Sequence, residues 1–136
     1  MAKLKTAKNF TNFKMNNDVY KLRRQVLNII YEVKNMGLKI PRIDVRIGED
    51  KNCQVLGKAN LNKNIIFITA QAINKGENVL RHTVLHELVH TIFGINHDEK
   101  CHLMKSVQPK KIKNKDQLLG LFETYYNKHN KESEVA

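Results

Sequence analysis

Apolar residues recur every three or four positions early in the chain: Val19, Leu22, Val26, Ile29, Ile30 and Val33. That spacing lines one face of a helix and predicts an α-helix from Asp18. Asn17 or Asp18 serves as its N-cap, and Gly37 follows its last turn. Pro41 blocks any continuation. The period then falls to two. Ile43, Val45 and Ile47 alternate with polar residues in "IDVRIG", the pattern of a half-buried strand. "CQVLGKANL" reads as a second strand interrupted by Gly57. "NIIFIT" reads as a third, rich in β-branched residues and well buried.

Beyond Gly76 the helical period returns. Asn78 is placed to cap "VLRHTVLHELVHTIF", where Val79, Val84, Leu85, Leu88, Val89 and Ile92 form a broad apolar face and Gly94 ends the helix. "INHDEKCHLMKSVQPKKIKNK" shows no period. Leu118, Leu119, Leu121, Phe122, Tyr125 and Tyr126 then mark a last helix beginning near Asn114 or Asp116. The order is helix, three strands, helix, loop, helix. It predicts a single α+β domain over residues 1–136, with residues 1–16 and 128–136 as mobile tails.

Composition narrows the class. The chain has 136 residues, enough to bury a core without disulfide staples. Its 41% hydrophobic and 27% charged residues exclude a disordered chain. No apolar run approaches a transmembrane helix, and the early lysines have no apolar segment behind them. The expectation is a monomeric, cytoplasmic protein without membrane insertion, with Cys53 and Cys101 as reduced thiols. Lys and Arg number 24 against 13 Asp and Glu, a formal charge of +11. Nucleic acid is thus a possible partner. Arg23, Arg24, Arg42, Arg46 and Arg81 are the only arginines, however, so the excess reads as a diffuse basic surface more than a base-reading one.

The candidate chemistry lies in residues 82–104, "HTVLHELVHTIFGINHDEKCHLM". Residues four apart share a helix face, so His86 and His90 can offer two imidazoles to one zinc ion. Glu87, turned about 100° from His86, is placed to act as general base on a water at that ion without being a ligand. His82 and His86 have the same spacing, but Thr83 then stands where the base is needed, which favours His86 and His90. A catalytic zinc needs a third protein ligand and an open position. Gly94 permits a left-handed residue that reverses the chain, and His97 follows three residues later. Asp98, Cys101, His102 and Glu123 are the rival third ligands. The plainer alternative is an amphipathic helix with half-exposed histidines.

These residues resemble the metzincin zinc peptidases, whose pattern is His-Glu-x-x-His-x-x-Gly-x-x-His followed by a methionine turn. The resemblance spans roughly residues 18–127, strongly at the helix and loosely elsewhere. It implies a zincin-like α+β fold with a small mixed sheet of about three strands. It further implies one catalytic Zn2+ on His86, His90 and His97, Glu87 as general base, and Met104 as the turn methionine beneath the metal. The implied activity is a metalloendopeptidase whose peptide substrate lies along a sheet edge supplied by "NIIFITA" or its neighbour. One departure stands out: Gly94 comes four residues after His90 where the family has three. "HTIFGINH" is also similar to SprT-like proteases, some of which act on DNA-associated proteins by the same chemistry. A basic nucleic-acid-binding protein with a structural zinc site is the competing class.

Overall fold

The computed structural model describes residues 15–48 and 56–135. Helix α1 spans Met15–Lys34, strands β1, β2 and β3 span Asp44–Gly48, Gly57–Asn60 and Ile65–Thr69, and the short helix α2 spans Ala70–Asn74. Helices α3, Glu77–Phe93, and α4, Lys115–Val135, complete the order. The described chain is α+β, with four helices and one three-stranded mixed sheet.

The sheet order is β1-β3-β2, with β1 parallel and β2 antiparallel to the central β3. The strand richest in β-branched residues thus takes the middle, and Ile66 and Ile68 are fully buried there. Because β3 is paired on both sides, the edge expected of "NIIFITA" passes to its neighbours. Helix α3 packs on β2 and β3 and also meets α1 and α4. Twelve of its seventeen residues are buried, so the helix is enclosed on nearly all sides.

The stripe on α1 behaves as its spacing predicts: Val26, Ile29, Ile30 and Val33 are buried, with Val19 and Leu22 packed at the margin. The helix begins at Met15, so Asn17 and Asp18 lie within its first turn instead of capping it. Gly37, with φ of 87°, turns the chain out after it. The N-cap of α3 is Gly76 and not Asn78. The Asn78 amide oxygen instead accepts a hydrogen bond from Arg81 Nη1 at 3.2 Å. Helix α4 is closed at its start by reciprocal bonds. Gln117 N donates to Asn114 Oδ1 at 2.9 Å, and Asn114 N donates to Gln117 Oε1 at 3.1 Å. Helix α2 was not anticipated, since five residues are too few to show a helical period. Residues 53–55 of the second predicted strand and residues 1–14 of the predicted tail lie outside the described residues, whereas 128–135 extend α4.

One ionic network fastens the helices. Arg81 is 2% exposed and grips Glu32 of α1 through two bonds of 2.8 Å, Nε to Oε1 and Nη2 to Oε2. Glu77 also accepts from Arg81, at 3.0 Å, and Lys115 of α4 stands 3.6 Å from Glu32. A buried guanidinium is tolerated because its donors are met by carboxylates. No helix among the described residues is long and apolar enough to cross a membrane.

Candidate metal centre

Helix α3 places His86 and His90 one turn apart on one face, as its period requires. Their orientation is settled by backbone carbonyls. The carbonyl oxygen of Leu103 lies 2.7 Å from His86 Nδ1, and that of Ile95 lies 2.6 Å from His90 Nδ1. A carbonyl can only accept, so each Nδ1 carries the proton and each Nε2 keeps a lone pair. Those two Nε2 atoms face each other at 3.1 Å. Two such lone pairs cannot hydrogen-bond to each other, but they can share a cation. Nitrogens bound to a tetrahedral zinc at about 2.0–2.1 Å stand about 3.3 Å apart. The observed separation fits that requirement closely.

His97 completes the group. Its ring centroid lies 5.2 Å from that of His86 and 4.8 Å from that of His90. The ligand-capable atoms of the three residues all fall within 4.8 Å of one another. Asp98, Cys101, His102 and Glu123 are not in this cluster, nor is any other His, Cys, Asp or Glu among the described residues. The extra residue between His90 and Gly94 is absorbed by a longer helix. Helix α3 continues to Phe93, and Gly94 takes the left-handed conformation, φ 66° and ψ 26°. A Cβ at Gly94 would also meet the Asn62 side-chain amide at 2.5–2.8 Å. The turn therefore admits only glycine at low cost.

Asp98 braces the loop that follows. Its amide donates to the Met104 carbonyl at 2.8 Å, its carbonyl accepts from Cys101 N at 3.0 Å, and its Oδ1 accepts from Lys100 N at 3.0 Å. These bonds shape the segment that holds both His97 and the Leu103 carbonyl. Met104 is fully buried at the end of this loop. His102 is turned away, its Nε2 accepting from Lys113 N at 3.4 Å.

Burial sets the charge states. It pushes the His86 pKa down to about 4, a little offset by the Leu103 carbonyl, and it lowers His90 as well. Both imidazoles are therefore neutral at pH 7, as metal ligation requires. Glu87 is 6% exposed, and burial raises its carboxyl to about 8. No described residue supplies it with an ion pair or a hydrogen bond. A carboxyl so placed readily gains or loses a proton near neutrality.

Three contributors lie beyond sequence reading. The Leu103 and Ile95 carbonyls carry no side-chain signature at all. Gly57 reads along the chain only as an interruption, yet its backbone lies against Glu87. A Cβ there would stand 3.1 Å from Glu87 Cγ and 3.2 Å from Glu87 Oε2. A glycine inside a strand was the available sign, since it marks close approach of a neighbour. Thr91 is the third: its hydroxyl donates to Asn60 O at 2.7 Å and accepts from Ile65 N at 3.0 Å, bolting α3 to the ends of β2 and β3.

Compared with known proteins, the chain matches no family model, no curated protein and no solved structure.

Proposed function

We propose that this chain is a zinc metalloendopeptidase of zincin-like fold, with His86, His90 and His97 as ligands and Glu87 as general base and acid. The observation that carries this reading is the pair of Nε2 atoms 3.1 Å apart, with both Nδ1 protons already committed to carbonyls. Zinc held there would act as a Lewis acid, polarising a peptide carbonyl and making water acidic near pH 7. Glu87 takes the proton of the attacking water and passes it to the leaving amine.

Two features favour a catalytic over a structural ion. A structural zinc is enclosed by four protein ligands, whereas no fourth candidate joins this cluster among the described residues. His97 is also exposed, which leaves the cluster open to solvent on its side. Strand β2 has an edge unpaired among the described residues, and its Gly57 touches Glu87. An extended peptide can add to that edge through backbone hydrogen bonds, which brings its scissile bond towards Glu87.

The test is zinc content and peptide-library cleavage for the wild type, Glu87→Gln and His97→Ala. The expected pattern is stoichiometric zinc and cleavage in the wild type, zinc without cleavage in Glu87→Gln, and weakened zinc binding in His97→Ala. A zinc-loaded wild type that cleaves nothing, or undiminished cleavage by Glu87→Gln, would overturn the assignment. Full zinc retention in His97→Ala would remove His97 from the ligand set.

A further inference from the structure

The outer flank of α1 carries side chains used by neither the core nor the histidine cluster. Tyr20, Leu27 and Tyr31 are 63%, 39% and 62% exposed. At about 100° per residue they project to one side of the helix, together with Arg23, Arg24 and Lys34. All three basic residues are exposed. No acidic position of α1 falls on this flank, and Glu32 projects to the other side, where Arg81 holds it. The Arg24 guanidinium lies 5.9 Å from the Tyr20 ring centroid.

We propose that this flank of α1 binds single-stranded nucleic acid. The cations neutralise phosphates, and the two tyrosines offer ring faces on which unpaired bases stack. Tyr20 and Tyr31 are eleven residues apart, about 16 Å along the helix, so each receives its own base. A duplex keeps its base faces stacked inside and gains little from exposed tyrosines. A second copy of the chain is disfavoured, because pairing two such flanks sets like charges against each other. A membrane surface is disfavoured too. Leu27 is the only aliphatic residue on the flank, and the apolar stripe of α1 is already spent on the core. The basic excess that reads as diffuse along the sequence is thus gathered, in part, beside two aromatic rings.

The test is fluorescence anisotropy of a labelled, mixed-sequence single strand of about 20 nucleotides, titrated with the full chain over a salt series. A duplex of the same sequence and phosphatidylserine vesicles run in parallel. Circular dichroism confirms that each variant keeps its helix. Tighter binding to the single strand is expected. Tyr20→Ala/Tyr31→Ala should weaken it about tenfold or more with the salt slope preserved. Arg23→Ala/Arg24→Ala/Lys34→Ala should lower the slope by about 2, at about 0.7 per lost phosphate contact. Lys105→Ala/Lys110→Ala/Lys111→Ala removes equal charge from the exposed loop before α4 and should change neither. Equal losses in the two charge variants, duplex binding as tight as single-strand binding, or binding to vesicles alone would each overturn the proposal.

Discussion

His86 Nε2 and His90 Nε2 stand 3.1 Å apart, each ring turned to that position by a carbonyl on its far nitrogen. Two uncharged lone pairs at this distance repel unless a cation lies between them. On the proposed reading a cation fills that position, so metal binding should stabilise the native state. Thermal denaturation with free zinc at about a thousand times its Kd should show about 4 kcal/mol of added stability. At this chain length that corresponds to a Tm rise on the order of 10 °C. His90→Ala should lose nearly all of the rise. A wild-type Tm indifferent to zinc would show that the cluster does not take the ion.

Gly57 and Glu87 make a second close pair. A Cβ at position 57 would stand 2.9 Å from Thr83 Cγ2 and 3.1 Å from Glu87 Cγ. Gly57→Ala should thus cost about 1–3 kcal/mol in urea denaturation, the usual penalty of overpacking. Thr83→Ser removes the offending methyl but keeps the hydroxyl that donates to Val79 O at 2.8 Å. In the Gly57→Ala background it should restore part of the loss. If Gly57→Ala is as stable as wild type, α3 and β2 are less closely packed than described.

The Arg81–Glu32 pair predicts both a mutational and an acid effect. Arg81→Met removes a cation that is 2% exposed, leaves Glu32 without its main partner, and should cost about 3 kcal/mol. Arg81→Met/Glu32→Gln should recover most of that loss. The Arg81 hydrogen bonds hold the Glu32 pKa below its ordinary 4.5. The unfolded chain therefore takes up this proton first. The stability from the pair is complete above pH 4.5 and is lost as pH falls through the lower folded value. Urea midpoints measured downward from pH 4.5 should fall less steeply in the double variant than in wild type. Parallel curves would exclude the linkage.

His82 is 2% exposed and its Nδ1 is buried without a hydrogen-bond partner. Burial, aided by the neighbouring His102 and His86, lowers its pKa from 6.5 to about 4. Since the unfolded histidine protonates first, stability is full above pH 6.5 and declines as pH falls towards 4. For His82 alone the loss reaches roughly 3 kcal/mol, at about 1.4 kcal/mol per unit of pKa. In metal-free protein, His82→Phe should flatten that decline, leaving the shares due to His86, His90 and His102. It should also raise stability at pH 7 by about 1 kcal/mol, because an unsatisfied polar atom is replaced by an apolar ring. A His82→Phe variant that is less stable at pH 7, or equally acid-sensitive, would show that the imidazole has a structural role.

Much of the fold was legible along the chain because its signals are local. The stripe from Val19 to Val33 places α1, the alternation of Val45 and Ile47 places β1, and the β-branched run of Ile65, Ile66 and Ile68 places β3. Helix starts are less legible. Asn17, Asp18 and Asn78 all have good capping side chains, but the helices begin elsewhere, since neighbouring structure and not propensity settles where a first turn forms. Asn114, one of the two positions near which the last helix is expected to begin, does cap it, and there the partner Gln117 lies only three residues away.

The same division runs through the candidate site. The shared face of His86 and His90, with Glu87 turned aside, follows from helix periodicity, so the sequence alone determined it once α3 was recognised. The approach of His97 rests on the left-handed Gly94 and on a loop braced by Asp98. The ring orientations rest on the Leu103 and Ile95 carbonyls, and the surroundings of Glu87 rest on the backbone of Gly57, thirty residues away. Only the tertiary structure decided these, because main-chain acceptors are alike at every residue and their placement depends on how distant segments pack.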